Sequence, residues 1–287
     1  TAGGSDMTES TQHFTPDRLE AARAFVRGRT SRTPRLHLVL GSGLGGLADL
    51  LPQADVIPFQ EIPGFPTASV PGHAGRFLLG ELEGVEVLMQ AGRFHLYEGH
   101  SPSVVAAPIR LGRALGAGTL VVTNAAGGIR AGLAPGDLVL LRDHVNFQFR
   151  STLAGPVWPG EQRFTDMTVA YDAELRRLAL AVADAEGIPL SEGVYAAVLG
   201  PAFETPAEIQ LLARLGVDLV GMSTVPEVLA ARSGGMRCLG FSLVTNLAAG
   251  LSGAPLSHQE VMETGNRSAA TLQRLVRGIL RALGDGG

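Results

Sequence analysis

The chain has 287 residues, of which 45 % are hydrophobic and 17 % charged, and its formal net charge is −4. This composition predicts a large buried core. The basic residues, all of them arginine, are scattered along the chain, and no apolar run approaches the ~20 residues of a membrane span, so neither nucleic acid nor membrane is expected as a partner. The single cysteine, Cys238, lies in an apolar run and excludes an internal disulfide, and no signal peptide is recognised, so we expect a cytoplasmic protein. Residues 1–6 precede Met7 and are interpreted as a cloning remnant, which leaves residues 7–287 as one domain.

In the first half of the chain, short apolar runs alternate with glycine-rich turns. Thr15 and Pro16 predict the start of a helix, as its cap and its first residue. The continuous apolar run 36–40 predicts a strand buried on both faces, and prolines make 63–75 a loop. Further strands are predicted at 77–82 and 85–90 (a hairpin), 119–123 and 138–141. A helix is predicted at 103–115, which Pro108 must kink or begin.

In the second half of the chain the helix signals are clearer. The irregular stretch 146–162 comes first, and a loop of that length is more often functional or mobile than inert. Leu175, Leu178 and Val182 form one stripe of a helix predicted over 172–186. Further predicted elements are strands at 194–199, 219–220 and 238–244, helices behind the capping boxes 205–208 and 257–260, and a last helix ending near 283. Strands alternating with helices predict one α/β domain with a parallel or mixed sheet.

The stretch 90–99, Gln-Ala-Gly-Arg-Phe-His-Leu-Tyr-Glu-Gly, carries the first candidate functional group. In an extended chain Arg93, His95 and Tyr97 share one face. A guanidinium fork matches an oxyanion, an imidazole can donate to the same anion, and a phenol offers a hydroxyl and an apolar ring. The trio suits a small molecule with a phosphate at one end and a sugar at the other. The alternative from this stretch alone is a polar sheet face exposed to water.

Three predicted strands end in small polar residues among glycines. These are Ser42, Asn124 and Asn246. Open α/β sheets bind ligands beyond the carboxyl ends of their strands, so these groups, together with Arg93 and His95, predict an anion site with backbone donors.

The glycines near Ser42 also satisfy a dinucleotide fingerprint, because Gly41, Gly43 and Gly46 are spaced as G-x-G-x-x-G after a strand. A dinucleotide fold then needs a full helix and a second strand. The stretch 46–52 has room for one or two turns before prolines follow. We therefore interpret the fingerprint as a coincidence and disfavour a nicotinamide-dependent oxidoreductase.

Two later segments offer groups for a planar ligand and a sugar. Phe203 and Glu204 precede a predicted helix, where Glu204 either supports the helix start or accepts two N–H donors from a planar ligand. Met222 and Ser223 follow a strand and open a helix, so Ser223 can bind an anion, and Met222 is either a core residue or the floor of a sugar pocket. No two histidines have metal-ligand spacing with a carboxylate, so no metal site is expected.

Seven motifs occur together and in order over residues 41–258. They are Gly41-Ser-Gly-Leu-Gly45, Pro71-Gly-His-Ala-Gly75, Gly92-Arg-Phe-His-Leu-Tyr-Glu-Gly99, Val122-Thr-Asn-Ala-Ala-Gly-Gly128, Gly200-Pro-Ala-Phe-Glu-Thr205, Gly221-Met-Ser-Thr-Val-Pro-Glu227 and Val244-Thr-Asn246. With these motifs the chain closely resembles the trimeric purine nucleoside phosphorylases, the type that acts on 6-oxopurine nucleosides. The resemblance implies a homotrimer and the single-domain phosphorylase/hydrolase-like α/β fold, with a twisted mixed sheet surrounded by helices. It also implies reversible phosphorolysis of inosine or guanosine to the free purine and ribose 1-phosphate in purine salvage, without a cofactor.

Site residues carry over from the family motif by motif. The phosphate ligands that the resemblance implies are Ser42, His73, Arg93, His95, the backbone at Ala125, and Ser223. The nucleoside ligands that it implies are Tyr97, Phe203, Glu204, Met222, Asn246 and His258, with Phe164 as the candidate phenylalanine from a neighbouring subunit. Asn246, Glu204 and His95 are the expected catalytic residues.

Two alternatives are weighed against this assignment. The relative that cleaves 5′-methylthioadenosine typically has an aspartate at the position of Asn246 and an apolar residue at that of His258, and this chain has neither. A non-catalytic nucleoside-binding protein of the same fold would be indicated by loss of Arg93, Glu204 or Asn246, and all three are present. The 6-oxopurine phosphorylase is therefore the favoured hypothesis.

Overall fold

The computed structural model describes residues 13–67, 74–252 and 258–284. The strands of the described part are β1 (Leu36–Leu40), β2 (Asp55–Pro58), β3 (Arg76–Leu82), β4 (Val85–Ala91), β5 (Thr119–Gly128), β6 (Leu138–Phe147), β7 (Leu190–Val198), β8 (Leu219–Gly221) and β9 (Arg237–Leu247). Its α-helices are α1 (Pro16–Arg27), α2 (Pro102–Val105), α3 (Ala107–Ala114), α4 (Ala173–Ala185), α5 (Pro206–Arg214), α6 (Val225–Ser233) and α7 (His258–Gly284).

The strands form one mixed sheet in the order β2-β3-β4-β1-β5-β8-β7-β6-β9. The central strand β1 runs parallel to both β4 and β5, whereas the β3–β4 hairpin and the β6–β9 pair are antiparallel. A further parallel pairing of β5 with β9 closes the last five strands of this order into a ring. The predicted mixed sheet and α/β class are therefore confirmed.

Most predicted elements are present, and the differences have local causes. All five residues of β1 are buried, as its apolar run predicts. The hairpin turn at Glu83 and Gly84 has φ of +52° and +76°, the conformation of the tight turns that suit the twist of a hairpin. The helix predicted at 103–115 is divided at the predicted proline, because α2 ends before Ala106 and α3 begins with Pro108 in its first turn.

Several strands run past their predicted ends into polar residues. β5 continues through Asn124 to Gly128 because each of these residues pairs with β9, which itself reaches Leu247. β6 likewise extends to Phe147 beside β7. In a sequence, polar residues at the end of a strand resemble turn residues. In this sheet they extend the strands to the edge where the candidate site lies.

Helix caps are the local features that the sequence predicts best. Thr15 accepts from the amide of Arg18, and Asp172 caps α4 through the amides of Glu174 and Leu175. Thr205 and Glu208 form the predicted capping box of α5. The box predicted at 257–260 falls partly outside the described residues.

The core lies on both faces of the sheet. One face is covered by α7, whose Leu272, Leu275 and Ile279 are buried. Cys238 is buried as predicted, and burial raises the pKa of its thiol to about 12. Within the described ranges, no helix has the length and apolar character needed to cross a membrane.

Candidate active site

A cavity of about 420 Å³ opens at the carboxyl ends of β1, β5 and β9, a volume suited to a nucleoside-sized ligand. Its walls come from distant parts of the chain. They are Ser42, Arg93, His95, Tyr97, Glu98, Asn124, Ala125, Gly127, Pro201, Phe203, Glu204, Val220, Gly221, Met222, Ser223, Thr245, Asn246 and Val261.

Nearly all residues predicted for the site line this one cavity. Three predictions differ. His73 lies outside the described residues. His258 begins α7, and its side chain is likewise outside the description. Phe164 does not line the cavity of its own chain and is 92 % exposed.

The stretch 90–99 converges on the cavity by a route other than the predicted one. β4 ends at Ala91, Gly92 has φ of +112°, and residues 96–98 form a 3₁₀ turn that ends at Gly99 with φ of +85°. The prediction that Arg93, His95 and Tyr97 share one face of an extended strand is therefore wrong, because the two glycines bend the backbone. The exposed-face alternative is also wrong, since Arg93 is 2 % and His95 6 % exposed.

Arg93 is a buried cationic side chain in the wall of the cavity. Its Nη1 donates to Ser223 Oγ at 2.8 Å and its Nη2 to the carbonyl of Thr123 at 2.6 Å. Its Nε lies 3.5 Å from Oε1 of Glu227, and both side chains are 3 % exposed. Because a buried charge requires a partner, Glu227 balances the guanidinium within the protein. Sequence reasoning assigned Glu227 no role, although it belongs to the quoted 221–227 motif.

Ser223 is presented to Arg93 by a strained turn. The amide of Val225 donates to the carbonyl of Ser223 at 2.8 Å, and Thr224 between them has φ of +72° and ψ of −54°, a γ-turn of the rare strained type. Two bonds hold it: Thr224 N donates to Glu227 Oε2 at 3.0 Å, and Asn124 Nδ2 donates to Thr224 Oγ1 at 2.9 Å. The Asn124 side chain supports this turn.

His95 is held in one tautomer by Glu98. Oε1 of Glu98 lies 2.8 Å from the amide of His95 and 2.9 Å from its Nδ1. A carboxylate oxygen accepts, so Nδ1 carries the proton of the neutral ring. Burial lowers the pKa of His95, which favours that neutral form. The ring of Tyr97 stacks on that of His95 with centroids 4.6 Å apart, and burial raises the pKa of Tyr97 to about 12.

The cavity wall also carries a carboxylate, Glu204, and an amide, Asn246. Thr205 is the cap of α5 and Glu208 completes the box, so Glu204 is not needed as a cap and instead lines the cavity. Burial raises the pKa of Glu204. Asn246, near the end of β9, accepts from Thr245 Oγ1 at 3.0 Å and donates to the carbonyl of Leu247 at 2.9 Å, which orients its amide.

Glycines let the walls of the cavity approach one another. A Cβ on Gly41 would lie 2.7 Å from Cα of Asn124, and one on Gly43, where φ is +75°, would lie 2.8 Å from Cα of Gly265. The loop carrying Ser42 thus packs against β5 and α7. Only a 3₁₀ turn, Gly45–Leu50, follows it. The dinucleotide alternative is therefore excluded, because the crossover helix that it needs is absent from this described stretch.

Met222 lines the cavity and is half-buried, so the core alternative for it is wrong. Its carbonyl accepts from Gln148 Nε2 at 3.3 Å, and a Cβ on Gly200 would lie 2.4 Å from its Sδ. Across the described part of the chain, no three His, Cys, Asp or Glu side chains lie together as a metal site would require.

Comparison with known proteins points in one direction. The family model described as the phosphorylase superfamily matches residues 35–281. A purine nucleoside phosphorylase of Bacillus subtilis is 47 % identical over 265 residues, which are 92 % of this chain and 98 % of that protein. The enzyme of Mycobacterium tuberculosis is 47 % identical over 270 residues, with coverages of 92 % and 97 %.

Solved structures agree with these sequence relatives. The Schistosoma mansoni purine nucleoside phosphorylase in complex with inosine is 38 % identical and superposes with a TM-score of 0.88, covering 93 % of this chain and 98 % of that one. The same enzyme in complex with adenosine gives a TM-score of 0.89 at 38 % identity, with coverages of 94 % and 99 %.

Proposed function

The chain belongs to the phosphorylase superfamily, and we propose that the cavity is where it splits 6-oxopurine nucleosides with inorganic phosphate. The products are a free purine and ribose or deoxyribose 1-phosphate, and the reaction is reversible and serves purine salvage. One observation carries the proposal: a buried Arg93 bonded to Ser223 lines the same cavity as the side chains of Glu204 and Asn246.

Phosphate binds at the Arg93 end. The guanidinium gives it a charged donor, and Ser42, Ser223 and the backbone at Ala125 give it polar contacts. His95 meets it through Nε2, the nitrogen that Glu98 leaves unprotonated in the neutral ring, so a phosphate that still carries one proton can donate it there. His73 remains a proposed ligand from its motif.

The purine binds at the Glu204 end. Glu204 accepts from N1–H of a 6-oxopurine and from the amino group of guanine, Phe203 packs on the ring, and Asn246 contacts N7 and O6. Tyr97, Met222 and His258 surround the ribose. The pairing with Glu204 selects the base, because adenine has an acceptor at N1 and leaves the carboxylate unpaired.

The chemistry follows from where charge develops. A phosphate oxygen bonds to the anomeric carbon while the bond to N9 breaks, and the ribose passes through an oxocarbenium-like state. The electron pair of that bond goes to the purine, where Asn246 and Glu204 hold the electron-rich base. The phosphate supplies both the nucleophile and the negative charge beside the cationic sugar. Atoms and charges balance without a cofactor, and we propose none.

We propose a homotrimer in which Phe164 closes the sugar pocket of a neighbouring subunit. Its support is the 92 % exposure of this large aromatic side chain at the end of the irregular loop. We also propose a cytoplasmic location, with which the free buried thiol of Cys238 is compatible.

The test is to incubate the protein with inosine, guanosine or adenosine, with and without phosphate, and to follow the free base and the sugar phosphate. We expect cleavage of the first two, only with phosphate. A relative has been crystallised with adenosine, so we expect discrimination against adenosine in the rate of cleavage rather than in entry to the site. Efficient adenosine cleavage would overturn the role of Glu204, and cleavage without phosphate would overturn the role of Arg93.

A further inference from the structure

A buried polar pair lies behind the anion end of the cavity. Gln90, the penultimate residue of the strand β4, is 1 % exposed, and His37, in β1, is fully buried. His37 Nε2 lies 2.9 Å from Gln90 Oε1, and Gln90 Nε2 donates to the carbonyl of Gly92 at 2.9 Å. Neither Gln90 nor His37 lines the cavity.

The directions of both hydrogen bonds follow from the carbonyl of Gly92, which can act only as an acceptor. The carbonyl of Gly92 can only accept, so the amide nitrogen of Gln90 faces it and the amide oxygen faces His37. Nε2 of His37 is then the protonated nitrogen. Burial lowers the pKa of His37 to about 3, so the ring is neutral and its Nδ1 carries no proton. Nδ1 lies against α3, where a Cβ on Gly112 would be 2.2 Å away, and has no hydrogen-bond partner.

The last acceptor in this chain of hydrogen bonds belongs to the peptide at which the backbone leaves β4 and bends towards the site. Gly92 has φ of +112° and directly precedes Arg93, whose side chain must reach both Ser223 and the carbonyl of Thr123. The strand pairing with β1 ends at Ala91. Just beyond that pairing, the bond from Gln90 holds the carbonyl between Gly92 and Arg93.

We propose that Gln90, itself oriented by His37, is a positioning residue that fixes the backbone at Gly92 and thereby aims Arg93 at the phosphate. This inference rests on the proposed function, since it takes Arg93 as the phosphate ligand. A buried imidazole with one nitrogen unsatisfied is costly in a core. The buried His37 is explained if its function is to hold the amide of Gln90 in one orientation.

The test compares phosphate and nucleoside kinetics in variants whose stability is also measured. Gln90→Met keeps the volume and removes both hydrogen bonds. We expect the KM for phosphate to rise about tenfold, because small displacements of a charged ligand group weaken binding strongly, while the KM for inosine stays within about twofold. Val87→Ala is the matched control: it removes buried volume on the opposite face of the same strand and lowers the melting temperature without changing either KM.

His37→Phe is a second test of the positioning role, which does not depend on whether Gln90→Met folds. A phenyl ring fills the same space and removes the unsatisfied Nδ1, so the melting temperature is expected to change little. The KM for phosphate is expected to rise about threefold, because Gln90 loses the donor that orients it. A merely structural role would change stability and leave phosphate binding alone.

Arg93→Gln separates failure of this inference from failure of the proposed function. If Arg93→Gln leaves the KM for phosphate unchanged, the phosphate site itself is misassigned. If Arg93→Gln raises it by two orders of magnitude or so while Gln90→Met and His37→Phe leave it within twofold of the wild type, the positioning role is overturned and the site assignment stands.

Discussion

Replacing Glu204 by glutamine tests the recognition of the base. The carboxylate lines the cavity next to Phe203 and is not engaged as the cap of α5, because Thr205 and Glu208 serve that purpose. Glu204→Gln keeps the shape and one acceptor oxygen but removes the charge. One hydrogen bond to a charged group contributes about 1.5–3 kcal/mol, so kcat/KM for inosine is expected to fall about ten- to a hundredfold. Guanosine donates to both carboxylate oxygens, so its loss is expected to be larger.

The same substitution has a signature in the pH profile. Burial raises the pKa of Glu204, so the carboxylate takes up a proton at a higher pH than an ordinary glutamate does. Protonation removes the charge and turns one of the two acceptor oxygens into a donor, so kcat/KM of the wild type is expected to decline as the pH falls through that raised pKa. Glu204→Gln cannot titrate and should lack this part of the acidic decline.

The assay is initial-rate phosphorolysis of inosine and guanosine at saturating phosphate over a range of pH. Glu208→Gln is the matched control, because it removes a carboxylate from the first turn of the same helix while a glutamine can still complete the capping box. A Glu204→Gln variant whose kcat/KM for both nucleosides stays within twofold of the wild type would refute the pairing with N1–H.

Four further expectations follow from the same geometry. Asn246→Asp is expected to lower inosine cleavage and raise adenosine cleavage, because a carboxylate accepts from a 6-amino group, which the oriented amide does not favour. The ratio of the two cleavage rates measures this change in preference. Glu227→Ala leaves Arg93 buried without its charge partner and is expected to cost about 3–5 kcal/mol of unfolding free energy, part of it recovered when phosphate is added before urea denaturation. Phe164→Ala is expected to raise the KM for nucleoside, while light scattering shows an unchanged oligomer mass. When Phe164→Ala is mixed with an inactive Glu204 variant, the Glu204 variant supplies an intact Phe164 to the sites of its neighbours, so mixed oligomers should regain the lower KM. His37 binds a proton below pH 6.5 in the unfolded chain but only near pH 3 in the folded one, so stability should fall as the pH drops through this interval by about 1.4 kcal/mol per unit, and His37→Phe should remove that share of the fall.

Local sequence signals were enough for most elements and for the chemical types of the site, but not for the short strand β2. The run at β1, the hairpin at Glu83 and Gly84, and the caps Thr15 and Thr205 depend on neighbours within a few residues, so they are present as predicted. The ordered motifs likewise identified the residues that now line one cavity, because each motif places a required side chain beside a glycine or a strand end.

Residues whose role depends on distant partners were not predictable in the same way. Glu227 reads as an ordinary glutamate in the first turn of a helix, and only folding brings it to Arg93. Asn124 read as a strand-end group of the anion site, whereas its amide holds Thr224 from a hundred residues away. The polar ends of β5 and β9 read as turns until their mutual pairing is seen.

The sequence by itself determined which chemical groups this protein has and, through its family, which reaction they perform. The tertiary structure decided how those groups are oriented. Burial lowers the pKa values of His95 and His37 and raises the pKa of Glu204, and the pairing of β4 with β1 places a glutamine where it can direct the peptide before Arg93. The physical reason is that desolvation and hydrogen-bond direction depend on the atoms that fold against a side chain, which its neighbours along the chain do not specify.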